Sequence, residues 1–161
     1  MQNKEIGFTI GKFAPLHKGH ELVIETALKE VDEMYVVIYD TNLINIDIEK
    51  RASWVKKLYP NVNIIYAFNS PKQYGLDKKS VNIKMEYLFN LIKDIPVTKF
   101  YSSEPYGEKV AEYLHIENRV VDIEKKIIPI SANQIRDNFK QNQKFIEEFV
   151  AKDITELKCQ L

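Results

Sequence analysis

Short apolar runs rich in β-branched residues alternate with longer stretches of helical periodicity along nearly the whole chain. Ile6–Ile10, Met34–Tyr39, Val62–Phe68, Thr98–Ser102 and the short Arg119–Asp122 read as strands. Glu21–Val31, Glu49–Tyr59, Lys78–Lys93 and Tyr106–Leu114 read as the helices between them, and Asn133–Val150 as a final helix. Pro60 stops the second of these. Strands joined by helical crossovers run parallel and carry helices on both faces. The expected fold is therefore α/β, a doubly wound parallel sheet of about five strands. Such sheets bind ligands beyond the carboxyl ends of their strands, where the winding changes direction. The length of 161 residues predicts one domain, 1–161, with 151–161 as a C-terminal tail.

Charge and cysteine content narrow the function classes. Lys and Arg total 23, as do Asp and Glu, so the net charge is zero. A general grip on nucleic acid needs a basic surplus, so no nucleic-acid partner is expected. Cys159 is the single cysteine and can close no internal disulfide, which suits a reducing compartment. No apolar run approaches the roughly 18–20 residues that span a bilayer. A cytoplasmic protein with no membrane partner is expected. The stretch Asn69–Asp77 after the third strand is long enough to be a loop over a site.

The first strand leads directly into Gly11-Lys12-Phe13-Ala14-Pro15-Leu16-His17-Lys18-Gly19-His20. Three of the chain's five glycines, Gly7, Gly11 and Gly19, lie in or near this segment. Glycine marks places where backbone must approach something closely. Neither the dinucleotide fingerprint nor the Walker P-loop is present. His17 and His20, three residues apart at a helix start, share one face. A helix N-terminus offers free N–H groups and partial positive charge, which favour a phosphate, and Lys12 and Lys18 add charge nearby. A zinc site would need a third ligand, and His115 is distant in sequence. A purely structural cap is the other reading of the pair. The position after a strand, between Gly11 and Gly19, favours phosphate.

Ile130-Ser131-Ala132-Asn133-Gln134-Ile135-Arg136 precedes the last predicted helix. Ser131 and Gln134 make a capping box, which marks a helix N-terminus. Arg136, one of three arginines against twenty lysines, lies about a turn inside and can reach an anion there. Taken alone, this constellation reads better as a cap plus a surface ion pair.

The two segments together resemble the nucleotidyltransferase superfamily. His17-Lys18-Gly19-His20 looks like its H-x-G-H motif, and Ile130–Arg136 like its I-S-x-T-x-I-R motif. Gly11–His20, Val31-Asp32-Glu33, Ser102–Gly107 and Val121-Asp122 are similar to the bacterial bifunctional-type nicotinamide-mononucleotide adenylyltransferases. Arg51 and Trp54 match that group's R-x-x-W helix. The resemblance runs from about Gly7 to Val150 and includes no kinase domain.

It implies a Rossmann-like fold and nucleotidyl transfer from ATP, with Mg²⁺ bridging the triphosphate. His17, His20, Lys12 and Arg136 would be the catalytic set. Gly11, Phe13, Gly19, Ser103, Glu104, Ser131 and Asn133 would bind the nucleotide. Arg51 and Trp54 would bind the acceptor, with Trp54 stacking on a flat ring; packing in the core is the other reading of this lone Trp. Family members often assemble, which allows a homo-oligomer. The chain departs from the family where Asn133 replaces the motif's Thr, and where Lys125 replaces the Arg after Val-Asp-x-x. The Trp-rich loop after the third strand gives way to Gln73–Asp77, and the Tyr-Trp pair after the second motif to Asn142-Gln143.

Transfer of AMP from ATP to nicotinamide mononucleotide, giving NAD and pyrophosphate, is the leading expectation. A cytidylyltransferase using CTP and a phosphorylated alcohol or sugar is the alternative within the class. A non-catalytic nucleotide sensor is the alternative outside it.

Overall fold

A computed structural model describes residues 3–72 and 77–157. Gln73–Leu76, the centre of the expected loop, and Cys159 lie outside the described residues. The strands are β1 (Ile6–Gly11), β2 (Glu33–Tyr39), β3 (Asn63–Ala67), β4 (Lys99–Ser102) and β5 (Glu117–Val120). They form one parallel sheet in the order β3-β2-β1-β4-β5. Helices α1 (Lys18–Leu28), α2 (Ile48–Leu58), α3 (Lys78–Ile92) and α4 (Gly107–Leu114) fill the crossovers.

The strand sequences explain the layers. Side chains alternate faces along a strand, so Val36 and Ile38 point one way and Val37 the other. Val36 and Ile38 join a core with Ile24, Ala27, Trp54 and Val55 of α1 and α2. Val37 joins a second core with Leu88 and Ile92 of α3 and Val110 of α4. Both faces are apolar, as a parallel sheet with helices on each side requires.

The chain winds outward from β1 to β3, then crosses back to place β4 on the other side of β1. The change of direction therefore falls between β1 and β4. These strands pair only at Gly7–Lys99 and Phe8–Phe100. Beyond those pairs they part, and a crevice opens at their carboxyl ends.

The C-terminal region differs from the single helix expected over Asn133–Val150. It comprises α5 (Ala132–Asp137), α6 (Phe139–Asn142), a 3₁₀ turn at Gln143–Phe145 and α7 (Glu148–Glu156). Asn138 makes the first break, at φ −146° and ψ 79°, where its side chain accepts a hydrogen bond from Gln141 N at 3.2 Å and caps α6. Ile146 and Glu147 are extended and make the second. The segment expected as a tail from 151 continues α7 to Glu156, and Val150 and Ile154 are buried in the first core. β5 also begins two residues earlier than the apolar pattern suggests and ends before Asp122, whose φ of 50° starts a turn.

Candidate active site

A cavity of about 270 Å³ occupies the crevice between β1 and β4. Thr9, Ile10 and Gly11 line it from the end of β1, and Ser102, Ser103 and Glu104 from the end of β4. His17, His20 and Val23 come from the start of α1, and Tyr106 from the start of α4. Lys125 and Ile130–Asn133 complete it. Both sequence constellations thus reach one cavity, at the position where an open α/β sheet binds its ligand.

The histidines are the helix cap. His17 is the N-cap of α1, and its Nδ1 accepts a hydrogen bond from Gly19 N at 3.0 Å. His20 reaches back, and its Nδ1 accepts from His17 N at 3.1 Å. This is a capping box built from two imidazoles instead of Ser and Glu. The rings stack with centroids 3.8 Å apart. Burial, and then the Lys125 ammonium, pull the His17 pKa down to about 3. Burial, His17 and Lys125 hold His20 well below the ordinary histidine range. Both rings are therefore neutral. A neutral ring whose Nδ1 accepts must carry its proton on Nε2. The turn thus presents two Nε2–H donors, with no protein acceptor for either among the described residues.

The glycines serve this arrangement. A Cβ on Gly19 would lie 2.7 Å from Cε1 of His17 and 2.9 Å from its Nδ1. Gly19 is small because the capping imidazole folds over it. Phe13 takes φ 50°, a left-handed conformation that costs an aromatic residue about 1–3 kcal/mol. Its ring lies 3.1 Å from the place where a Gly11 Cβ would be, and 4.6 Å from the His20 ring, centroid to centroid. Gly11 and Phe13 therefore support His20 from the side of β1. The Ala14–Pro15 peptide bond that follows is cis.

Ser131 caps α5 as its spacing predicts. Its Oγ accepts from Gln134 N at 3.3 Å, and Gln134 Oε1 accepts from Ser131 N at 2.9 Å. Asn133 lines the cavity, and its Oδ1 accepts from Arg136. The Arg136 guanidinium also donates to Ala14 O at 2.6 Å, tying α5 to the loop after β1. Arg136 and Lys12 do not line the cavity itself. They are neighbours in charge: burial, followed by Arg136, Lys72 and Lys84, draws the Lys12 ammonium below its ordinary pKa.

Lys125 is the site residue that motif reading undervalues, since it marks only an arginine replaced. Its ammonium donates to Ser103 O at 3.0 Å, Ser103 Oγ at 2.8 Å and Glu104 Oε1 at 3.3 Å. It thereby fixes the turn after β4 and adds positive charge beside both histidines. Asp122 shapes the turn that presents it, accepting from the backbone N–H groups of Lys126, Ile127 and Ile128 at 2.8, 3.0 and 2.9 Å. The signal for Lys125 is its fixed spacing after Val121-Asp122.

Arg51 and Trp54 are placed elsewhere than an acceptor site requires, and the acceptor reading is corrected for both. Each is 1% exposed, and neither lines the cavity. Arg51 donates to the backbone oxygens of Ile46 at 3.1 Å, Tyr39 at 2.9 Å and Lys12. It is a clamp joining α2 to the ends of β1 and β2. Trp54 packs in the core, and its Nε1 donates to Asp153 Oδ2 of α7 at 2.8 Å.

No group of three or more His, Cys, Asp or Glu is arranged to hold a metal ion among the described residues. The acceptor-only groups that Mg²⁺ prefers are scarce in the cavity, where Glu104 is the single carboxylate and it pairs with Lys125. Mg²⁺ would there need ligands beyond the cavity's own side chains. No helix among the described residues is long and apolar enough to cross a membrane.

Residues 8–138 match the model of the cytidylyltransferase-like family, and the chain belongs to that family of nucleotidyltransferases. It is 31% identical over 156 residues to the trifunctional NAD biosynthesis/regulator protein NadR of Salmonella typhimurium, covering 85% of this chain and 37% of that protein. It is 30% identical over 117 residues to a nicotinamide-nucleotide adenylyltransferase of Methanococcus maripaludis, covering 52% of this chain and 68% of that one. It is 25% identical over 160 residues to a phosphopantetheine adenylyltransferase of Fusobacterium nucleatum, covering 93% and 94%. The chain thus spans little more than a third of the NadR relative. Among solved structures, NadR in complex with NAD and AMP-PNP shares the fold at a TM-score of 0.60 and 22% identity, over 89% of this chain and 45% of that one.

Proposed function

We propose that the chain is an adenylyltransferase that joins AMP from ATP to a phosphorylated small molecule, most simply nicotinamide mononucleotide, releasing pyrophosphate. The observation that carries the reading is the histidine cap. Two neutral imidazoles satisfy a helix N-terminus with one nitrogen each and offer the other as a donor at the switch point of the sheet.

An acceptor phosphate oxygen forms a bond to the α-phosphorus, and the bond to the pyrophosphate oxygen breaks. Mg²⁺, when bound, would supply charge neutralisation on the triphosphate. His17 and His20 donate Nε2–H to α-phosphate oxygens as charge builds on the five-coordinate phosphorus. The nucleotide's charge raises the histidine pKa values, which strengthens those bonds. Lys125 adds positive charge and holds Ser103 and Glu104 against the nucleoside. The start of α5, with Ser131 and Asn133, lies beside the outer phosphates, and Arg136 positions it. Lys12, beside Lys72 and Lys84, receives the acceptor's phosphate. No covalent intermediate is needed: catalysis rests on positioning and charge.

The relatives' names supply the acceptor class. NadR and the Methanococcus enzyme support nicotinamide mononucleotide. The phosphopantetheine adenylyltransferase, matched almost end to end, supports phosphopantetheine as the second candidate. The decisive experiment measures pyrophosphate release with Mg²⁺, crossing ATP and CTP against both acceptors and a panel of phosphorylated alcohols and sugars. Products are identified by mass. NAD formation is the expected result. Product from CTP alone would overturn the adenylyl reading, and tight nucleotide binding without any product would favour a sensor.

A further inference from the structure

The first turn of α1 has two faces, because residues three apart share a side of a helix. His17 and His20 line the cavity; Lys18 and Glu21 do not, and Lys18 reaches the start of α7 instead. Lys18 Nζ donates to Glu147 and, at 3.4 Å, to Glu21 Oε1. Glu21 is only 5% exposed, and Lys18 is its ion-pair partner among the described residues. The backbone N–H of Glu21 donates to His17 O at 3.1 Å, so this buried carboxyl stands on the turn that the histidines cap.

The partner that Lys18 reaches is a fixed body. Val150 and Ile154 of α7 are buried in the first core. Asp153 accepts from Trp54 Nε1 at 2.8 Å and lies 3.5 Å from Lys50 Nζ, and the Lys57 ammonium sits 4.6 Å over the ring of Phe149. Helix α7 is thereby pinned to α2. Glu147 is its N-cap residue, but its side chain makes no capping bond. Asp47, Ser131 and Asn138 cap their helices with a side-chain oxygen, whereas Glu147 gives its carboxylate to Lys18. Helix α7 also lies beyond residues 8–138, the stretch that matches the family.

We propose that Lys18 is a positioning residue for the histidine pair: its ammonium, shared by Glu21 of α1 and Glu147 of α7, holds the first turn of α1 against α7 and so aims both imidazoles into the cavity. An exposed ion pair contributes little to a fold. This one differs because one of its carboxyls is buried. Without Lys18, Glu21 must take up a proton or turn towards water, and the polar tie from α1 to α7 is lost. The turn so released is the one on which Gly19 N and His17 N hold the two Nδ1 atoms. The proposal rests on the nucleotidyl-transfer reading only where turnover is measured.

The test uses Lys18→Met, which keeps the apolar stem, Lys18→Arg, which keeps the cation, Glu147→Gln, and the double variant of Lys18→Met with Glu147→Gln. Nitrogen-15 NMR of the imidazoles reads the turn with no nucleotide present. Both rings are expected in the single Nε2–H tautomer in the wild type and in Lys18→Arg. Mixed tautomers are expected in Lys18→Met and in Glu147→Gln. With substrates, kcat is expected to fall about 10²-fold in Lys18→Met while KM for the nucleotide holds, and to recover in Lys18→Arg. The double variant should fall no further than Lys18→Met alone. A folded Lys18→Met with wild-type tautomers would overturn the proposal, whatever the protein's activity. Additive losses from Lys18→Met and Glu147→Gln would overturn it too, since the two would then not act through one contact. If Lys18→Met does not fold, Glu147→Gln decides alone, because it leaves the Lys18–Glu21 pair in place: wild-type tautomers there sink the support by α7. Absence of turnover with every acceptor, beside mixed tautomers in Lys18→Met, would count against the nucleotidyl-transfer reading and uphold the support of the turn.

Discussion

The two helix N-termini beside the cavity are capped by the same box in different chemistry. At α5, Ser131 Oγ accepts from Gln134 N and donates to Gln134 Oε1, so its hydroxyl is engaged in both directions. At α1, His17 and His20 each accept through Nδ1, and their Nε2 atoms meet no protein acceptor among the described residues. A hydroxyl is a single atom that must cap or bind. An imidazole separates the two tasks across its ring. The structure therefore assigns capping to both ends but leaves ring donors for a ligand at only one.

Substitutions can break this comparison, and they rank clearly by their effect on turnover. His17→Asn keeps a good cap and removes the Nε2 donor. Turnover is expected to fall about 10²–10³-fold while thermal stability stays near wild type. His17→Ala should lose the same turnover and, in addition, about 1 kcal/mol of stability in a denaturant titration. Equal stability in the two variants would mean that the imidazole does not cap. Gly19→Ala comes next, because its Cβ would collide with the His17 ring and turn it out of the cap. Steady-state kinetics should show a drop approaching that of His17→Asn, with a loss of stability as well.

Ser131→Ala should cost about 1 kcal/mol and change turnover by less than about tenfold, since its hydroxyl is already committed. A loss as large as that of His17→Asn would make the two ends alike and sink the distinction. Trp54→Phe should have the smallest kinetic effect. It is expected to lower stability by about 1–3 kcal/mol through the lost Asp153 bond while leaving the acceptor KM unchanged. A raised acceptor KM at full stability would restore the ligand reading of Trp54.

Acid sharpens the same contrast. His17 stays neutral in the fold down to about pH 3 but takes up a proton near pH 6.5 when unfolded. The unfolded state binds more protons in that window, so stability falls as pH drops from 6.5 towards 3. Part of that fall should disappear in His17→Asn, measured as melting temperature against pH. Ser131→Ala should leave its slope unchanged.

Much of this was readable from residues in order. Five apolar runs gave the strands, and the rule for strand ends pointed to Gly11–His20 and to Ser103 and Glu104. The breaks in the last helical stretch are not legible because periodicity does not register the capping side chain of Asn138, which ends one helix and starts another. The burial of Arg51 and Trp54 is illegible for a different reason. A guanidinium that grips a phosphate and one that grips carbonyls look identical in sequence. The partners that decide, Lys12 and Tyr39 for one and Asp153 for the other, are separated from them by chain and brought close only by the fold. Lys125 was legible only as a departure until its bonds to Ser103 and Glu104 showed what it holds.

The central strand β1 is made first but completed late, since Gly7 and Phe8 meet Lys99 and Phe100 only after most of the sheet has been synthesised. During translation one edge of β1, and the histidine turn that follows it, must wait without the neighbour that defines the crevice. Closing so long a loop is slow, and an unpaired edge is exposed to other chains in the meantime. The same winding that creates a binding crevice at the middle of the sheet thus gives the nascent chain a vulnerable interval, ended when β4 emerges and docks.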